Sequence, residues 1–349
     1  MKTFFYSFKN KKFFIQETPL PEIKKGEVLV KIKVSALCGT DLHIMAGDLS
    51  KKVYSRKEIV LGHEWAGVVA KTGGQVKNFK KGDWVFGSPH LPCGRCFNCR
   101  QDRANWCDKP LVFGLNVPGS LTEYLAVRET VLFPLPKKIG WQAGVLLSDT
   151  ISTAYHAIKR VELKSGQRIL ILGAGPVGLA LGILSRFLGG KEVFVMETEK
   201  YRLKLAKKLF GAKEVEKTNF VKARRSFNCV FETTGSARAL EYGIQALKRG
   251  GRLALVGIHK EKYSLDALRL MYRELTILGC FGYTRQEAKE FTRLLGRSQK
   301  LKNDLEKIIT HRFSLKDAAL AYRIFQSKKS GKVILYHPDI RPGGMGEID

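Results

Sequence analysis

The sequence predicts an α/β chain of two domains, a small β-barrel domain interrupted by a doubly wound parallel sheet. Three observations carry that class. Residues 1–145 read as short strands and turns. From about residue 150 to 282, apolar β-runs alternate with amphipathic helices, the grammar of βαβ units. Within that stretch a strand, Arg168 to Leu172, runs into Gly173-Ala-Gly175-Pro176-Val177-Gly178 and then into an apolar helix. The expected division is 1–149 with 283–349 for the first domain and 150–282 for the second.

In chain order, Val28 to Val34 is an alternating strand and Glu64 to Lys71 another, closed by the Gly73-Gly74 turn. Gly82 to Gly87 resembles a strand of a small barrel. In the parallel region, strands are expected at Arg168–Leu172, Glu192–Met196, Cys229–Glu232 and Arg252–Val256, with helices ending at Phe187 and Phe210. Residues 286–336 return to helix and strand without that rhythm and end in the strand Lys332–Tyr336. The tail from His337, with Pro338, Pro342, Gly343, Gly344 and Gly346, reads as disordered. No internal repeat is present.

At 349 residues the chain has room for two domains. No apolar run of about 18 residues appears, so no membrane helix is predicted. Charge at Lys2, Lys9, Lys11 and Lys12 interrupts the N-terminus too early for a signal segment. Seven cysteines, four of them clustered, point to a reducing, cytoplasmic setting. Lys and Arg outnumber Asp and Glu 61 to 32, for a formal net charge of +29. Such a field attracts nucleic acid or anionic membrane. The basic residues are dispersed, however (Lys9 to Lys12, Lys51 to Lys57, Lys222 to Arg225, Lys328-Lys329), and no block reads as an arm. Solvated faces of a generally basic protein are therefore favoured over a nucleic-acid or membrane surface.

Cys93, Cys96, Cys99 and Cys107 follow C-x2-C-x2-C-x7-C. Zinc takes four thiolates tetrahedrally, and a cage with no open position is a structural site. Gly94 and Asn98 suit its tight turns, and Arg95, Arg100 and Arg103 offset the thiolate charge. A ferredoxin run would bring its last cysteine after x3 and follow it with proline. Here the gap is x7 and Asp108 follows, so zinc is favoured over an iron–sulfur cluster and over unliganded thiols.

Gly173 permits the tight turn of a dinucleotide fingerprint, Gly175 lets the backbone approach a pyrophosphate, and Gly178 lets helix pack on sheet. Pro176 and Val177 open the helix, whose free N–H groups face the phosphates. Glu197 ends the next strand about twenty residues on, where an acid accepts from the adenosine ribose. The ordinary alternative is a strand-end acid. A carboxylate there repels a 2′-phosphate, so NAD is expected over NADP. Arg202 and Lys200 act as counterweights, and Arg202 joins the cofactor-binding candidates.

Cys38-Gly-Thr40-Asp41-Leu-His43 and Gly62-His63-Glu64 carry the remaining ligand types. A catalytic zinc takes three protein ligands and keeps a fourth position open. Singly, Cys38 and His63 would read as a buried thiol and a satisfied histidine. Beside the other motifs they are candidate ligands.

Together these motifs, spread over residues 22 to 336, resemble the zinc-dependent medium-chain dehydrogenase/reductase family, which includes alcohol, polyol, threonine and formaldehyde dehydrogenases. The resemblance implies a GroES-like β-barrel catalytic domain plus a doubly wound Rossmann cofactor domain. It also implies two zinc ions per subunit, a small-molecule alcohol substrate, and a homo-oligomer, tetramer or dimer. In the family a third catalytic ligand, Cys, Glu or Asp, precedes the cofactor domain. Leu147-Ser148-Asp149-Thr150 places Asp149 there, in a setting similar to the formaldehyde-dehydrogenase-like branch; the alternative for Asp149 is a helix N-cap.

Further roles follow from the resemblance. Glu64 lies behind the zinc and binds it transiently, Asp41 orients His63, and Thr40 bonds the alcohol. His43 takes the proton, relayed through the nicotinamide ribose. Thr153 and Val177 pack on the nicotinamide, and Lys332 approaches the pyrophosphate. The implied reaction is hydride transfer from a primary or secondary alcohol to NAD(P)⁺. Leu49, Trp65, Phe86, Phe113 and Leu115 are placed loosely as pocket lining, and Cys229 and Cys280 as core thiols. Two rivals stand beside this reading. One is a zinc-free quinone or enoyl reductase of the same fold, which would lack the ligands and the lobe. The other is a basic zinc protein binding nucleic acid, which only the charge supports.

Overall fold

The computed structural model describes residues 1–49, 57–216 and 218–338. The expected disorder beyond Pro338 and the basic run 51–56 lie outside the described residues. The chain divides into two compact units, one of Met1–Ser152, Gly282–Lys302 and the residues from Ile309 on, the other of Thr153–Phe281 and Asn303–Ile308.

In the first unit the strand Glu27–Ala36 is the spine of a seven-stranded sheet. Its apolar alternation buries Val28, Val30, Ile32 and Val34 almost completely. Glu64–Thr72 pairs antiparallel along one edge, with register shifts near Leu29 and Ile32. Such bulges bend a strand and let a sheet curl. The other edge is shared. Tyr124–Arg128 pairs with its first half and Lys332–Tyr336 with its end. Trp65, Val69, Val85, Phe113, Leu125 and Val127 pack with the spine residues as one core. The hairpin Lys2–Ser7/Lys12–Glu17 covers a second core, in which Phe4, Tyr6, Leu37, Ile44, Tyr322 and Leu335 meet. That core seats the helix Gly39–Ala46 against the sheet.

The second unit is a six-stranded parallel sheet. From one edge to the other it runs Lys213–Glu214, Glu192–Met196, Arg168–Leu172, Phe227–Glu232, Leu247–Leu255 and Thr276–Gly279. Numbered along the chain the order is 3-2-1-4-5-6. The order reverses between the strands that start at Arg168 and Phe227, and ligands bind beyond the carboxyl ends of strands at such a switch point. Apolar strand residues meet the helices Pro176–Phe187 and Ala237–Ala246 through side chains such as Leu172, Val230, Leu240 and Ile244.

His337 departs from expectation. It is buried, its N–H donates to the Lys33 carbonyl at 3.0 Å, and its Nε2 lies 3.0 Å from Ser35 Oγ. The strand pairing continues one residue past Tyr336, which holds the start of the tail against the spine. Burial, helped by Lys33, pushes the imidazole down to about 3. The folded value lies below the unfolded one near 6.5. The stabilisation is therefore complete above that pH and is lost as pH falls, by up to about 1.4 kcal/mol per pH unit. Replacing His337 with Gln should flatten the fall of urea-unfolding free energy between about pH 6.5 and 4. An unchanged slope would show that this imidazole charges freely in the folded state.

Candidate metal centres and cofactor site

The four cysteines of the lobe come together on a loop held by a short helix, Phe97–Arg100, and a brace from Arg128 to the Pro92 carbonyl at 2.5 Å. Their sulfurs all lie within 4.8 Å of one another. Sulfurs about 2.3 Å from a single zinc stand about 3.8 Å apart in a tetrahedron, and Cys93 and Cys99 Sγ are 3.9 Å apart. Backbone N–H groups of Arg95 and Cys96 pull the Cys93 thiol down to about 6. Burial, with the crowding sulfurs, pushes Cys99 up to about 12. Thiols this close oppose one another's ionisation, and a shared divalent cation removes that conflict. The donor set fits zinc.

The second cluster is Cys38, His63, Glu64 and Asp149, whose ligand atoms likewise lie within 4.8 Å. Each comes from a different element end. Cys38 is the N-cap of the helix Gly39–Ala46 and has extended backbone. His63 and Glu64 stand at the start of the strand Glu64–Thr72. Asp149 sits between the helices Gly140–Ser148 and Thr150–Arg160. Asp41, fully buried, ties two of them together. One oxygen accepts the Cys38 N–H at 3.0 Å and the other lies 3.3 Å from His63 Nδ1. His63 thereby turns Nε2 toward Asp149, 3.6 Å from its Oδ2. N and O ligands of a tetrahedral zinc stand about 3.4 Å apart, so this spacing suits one ion between the imidazole and the carboxylate. Burial opposes charge on His63. The anions Asp41, Cys38 and Asp149 outweigh it and raise the imidazole well above its ordinary value. This cluster too fits zinc.

Several partners escaped sequence reasoning. Ser148 Oγ accepts from Trp65 N–H at 3.1 Å and donates to the Gly87 carbonyl at 2.5 Å, while Tyr283 donates to the Ser148 carbonyl at 2.6 Å. These bonds fix the residue next to Asp149. Thr150 Oγ1 donates to Glu64 Oε2 at 3.0 Å. Burial pushes the His90 imidazole down to about 4, with Asp149 and His63 in electrostatic range. Tyr322, driven upward by burial, feels the Asp41 carboxylate.

Thr40 Oγ1 lies 3.6 Å from Cys38 Sγ, and His43 Nδ1 is 3.1 Å from Asp48 Oδ2 with the imidazole part-exposed. Lys332, expected at a pyrophosphate, forms a buried pair with Glu64. It is 1% exposed and its Nζ lies 2.5 Å from Glu64 Oε1. Burial alone would lower its pKa, but the anions Glu64 and Cys38 raise it, and burial pushes Glu64 up to about 7 against the pull of that ammonium. Trp65, Phe86 and Phe113 are packed in the core, at most 3% exposed, and Phe113 also borders a cavity of about 470 Å³ beside Phe5 and Leu125. Leu49 and Leu115 pack part-buried against the second core. Cys229 is buried as expected, whereas Cys280 is only half-buried.

In the second unit Gly173 has φ +94°, and a Cβ there would meet Thr234 Cγ2 at 2.7 Å; at Gly178 it would meet the Gly173 carbonyl at 2.0 Å. Both positions demand glycine. Gly175 caps the helix Pro176–Phe187, with Pro176 and Val177 in its first turn. Glu197 Oε2 accepts the Ala174 N–H at 2.7 Å, and Oε1 accepts the N–H groups of Thr198 and Glu199. The carboxylate is thus fastened to the glycine loop itself. Arg202 Nη1 comes within 3.7 Å of the Cβ position of Gly175. Thr153 is half-buried on the helix Thr150–Arg160.

Comparison with known proteins agrees with this chemistry. The alcohol dehydrogenase GroES-like domain model matches residues 24–137 and the zinc-binding dehydrogenase model matches residues 176–297. L-threonine 3-dehydrogenase of Escherichia coli K12 is 32% identical over 330 residues, covering 92% of this chain and 95% of that protein. The alcohol dehydrogenase of Thermus sp. ATN1 superposes with a TM-score of 0.89 at 25% identity, over 97% of this chain and all of that one, 100%. Galactitol-1-phosphate dehydrogenase of Escherichia coli gives 0.85 at 28%, over 96% and 100%. The class is an NAD(P)-dependent oxidoreductase acting on alcohols, built from a GroES-like barrel and a Rossmann sheet. The chain belongs to the zinc-dependent medium-chain dehydrogenase/reductase family. Neither the zinc-free reductase nor the nucleic-acid scaffold is favoured.

Replacing Lys332 with Met leaves the Glu64 carboxylate buried without its cation. Urea unfolding at pH 8 should show a loss of about 3–5 kcal/mol, partly restored by adding Glu64→Gln. A loss below about 1 kcal/mol would mean that the pair is not closed in solution.

Proposed function

We propose that the chain oxidises a primary or secondary alcohol with NAD⁺, using two zinc ions per subunit. Cys38, His63 and Asp149 hold the catalytic ion, with Glu64 as an auxiliary ligand, and Cys93, Cys96, Cys99 and Cys107 hold the structural one. The observation that carries this reading is the converging sulfur, imidazole and carboxylate, braced from behind by Asp41. When bound, zinc supplies a Lewis acid that lowers the pKa of an alcohol, and the nicotinamide supplies the hydride acceptor.

The chain's own residues do the rest. Asp41 holds the His63 tautomer with Nε2 free. Thr40 Oγ1, beside Cys38 Sγ, orients the substrate hydroxyl and receives its proton. His43, whose Nδ1 lies 3.1 Å from Asp48 Oδ2, takes that proton toward solvent. In the cofactor domain, residues 150–282 by this reading, Thr153, Gly173, Gly175, Pro176, Val177, Gly178 and Arg202 hold the dinucleotide. Glu197 there disfavours a 2′-phosphate. The free thiols suit the cytoplasm. The unpaired edge of Thr276–Gly279 among the described residues suits strand pairing in a dimer or tetramer.

Following reduced-nicotinamide absorbance over a panel of alcohols tests the reading. The panel includes L-threonine and galactitol 1-phosphate, after the relatives' names. Cys38→Ser should abolish turnover while one zinc per chain remains in the lobe by metal analysis. Full activity in that variant would defeat the proposal. Glu197→Gln should narrow the kcat/KM preference for NAD⁺ over NADP⁺ by about tenfold; an unaltered ratio would remove Glu197 from cofactor choice.

A further inference from the structure

The reaction leaves most of the +29 charge unused, and the second unit concentrates part of it. Arg225, Arg249, Arg269 and Arg273 line a cavity of about 370 Å³ together with Asp266, Leu268 and Tyr272. An adjoining cavity of about 180 Å³ shares Arg225, Arg269 and Arg273 and adds Arg224 and Gln245. Five guanidinium groups therefore converge on one hollow.

Their counter-charges do not match. Arg269 is balanced, with Glu241 at 2.8 Å and Asp266 at 3.5 Å. Arg273 spends donors on the carbonyls of Ile244 and Leu247, which carry no net charge. Among the described residues, Arg224, Arg225 and Arg249 pair with no carboxylate. Burial and the fields of Arg225, Arg269 and Arg249 all disfavour the charge on Arg273. Arg225 is also held at φ +53°, in the left-handed region that a side chain disfavours, with its N–H fixed by the Gln245 carbonyl at 3.0 Å. A protein gains nothing in stability from stacking like charges around a hollow, whereas a bound anion makes use of every one.

The place in the sheet separates this hollow from the dinucleotide loop. Arg224 and Arg225 precede the strand Phe227–Glu232, and Arg249 lies in the first residues of Leu247–Leu255. Gly173 to Gly178 follow the carboxyl end of Arg168–Leu172. These strands are parallel, so the arginines occupy the amino edge of the sheet and the glycine loop the carboxyl edge.

We propose that the arginine hollow is a second anion site, which binds the polyphosphate chain of a small molecule, either an inorganic polyphosphate or a nucleoside triphosphate. Three unmatched guanidinium groups and the half-satisfied Arg273 call for several negative charges on one compact ligand. Guanidinium groups meet phosphate oxygens in a bidentate fork, which suits this chemistry. A hollow of about 370 Å³ is the size of a short chain, whereas nucleic acid is tracked by a longer stripe of basic residues.

The test is calorimetric titration of the zinc-loaded enzyme with sodium tripolyphosphate and with magnesium-free ATP. Saturating NADH keeps the glycine loop filled. The comparison variant is Arg225→Glu/Arg249→Glu, at two exposed positions outside the metal and cofactor residues. Tripolyphosphate should bind once per chain, more weakly as salt is raised, and at least about tenfold more weakly in the variant. ATP binding as tightly as tripolyphosphate assigns the site to the chain alone. Tighter ATP binding that drops to the tripolyphosphate level in Tyr272→Ala assigns it to a nucleotide. Alcohol turnover and circular dichroism of the variant should match the parent. If the double charge reversal misfolds, Arg225→Gln/Arg249→Gln replaces it. The proposal is overturned by equal affinity in parent and variant, by no binding of either probe at low salt, or by a DNA duplex that binds more tightly than both and loses affinity in the variant.

Discussion

The carboxylate of Asp41 is the constraint on which the catalytic cluster depends. Cys38 begins a helix and His63 begins a strand, and nothing local fixes one against the other. Asp41 does so by accepting the Cys38 N–H with one oxygen and facing His63 Nδ1 with the other. As the third residue of its helix it reaches back to the N-cap backbone, as in a capping box. The helix is itself anchored by Ile44 in the core beneath the N-terminal hairpin. The hairpin, far from any reacting atom, thus reaches the metal ligands through packing and a single carboxylate.

The charge balance around that cluster is closed by long-range partners. Glu64 is adjacent to His63 and has no exposure, so its carboxylate must be matched from within the protein. Lys332 and Thr150 take one oxygen each. Lys332 starts the strand that pairs with the end of the spine strand Glu27–Ala36, so closing the barrel edge and neutralising Glu64 are one event. Asp149 Oδ2 lies 3.6 Å from His63 Nε2. Of the two acids, Glu64 is the one that would have to leave the Lys332 ammonium to give an oxygen to a metal.

Which parts of this were legible in the sequence follows from the range of the forces involved. Four of the six parallel strands were read, Arg168–Leu172 and Glu192–Met196 to the residue and with the helix ends Phe187 and Phe210 as expected, while Phe227–Glu232 and Leu247–Leu255 begin earlier than expected and the two edge strands were not read. Those signals are local, a run of apolar residues and a glycine turn. The four-cysteine lobe is equally local. The partner of Lys332 lies 268 residues away and leaves no trace in the spacing of either motif. Trp65 and Phe86 illustrate a different limit. An aromatic residue inside a strand looks the same whether it lines a pocket or fills a core, and only the fold shows both fully buried. His337 follows a clear strand and precedes proline, which reads as a chain end. It is instead enclosed because, on the spine strand, Ser35 Oγ meets its ring and the Lys33 carbonyl takes its backbone N–H.

The same physics accounts for the polarity of the parallel sheet. At its carboxyl edge the turn after the first strand needs glycine at 173 and 178 because backbone atoms come too close for a Cβ, and the bare N–H groups that result favour an anion. Glu197 takes one of those N–H groups, from Ala174, so the loop is shaped by a carboxylate before any phosphate arrives. At the amino edge the strands begin instead with basic side chains. Arg168 and Arg252 are each matched by an acid, Glu192 and Glu162, while Arg224, Arg225 and Arg249 gather without one among the described residues. Backbone donors serve one edge and guanidinium groups the other. On the proposals made above, the two edges separate a cofactor that must be held in one orientation from an anion that need only be attracted and gripped.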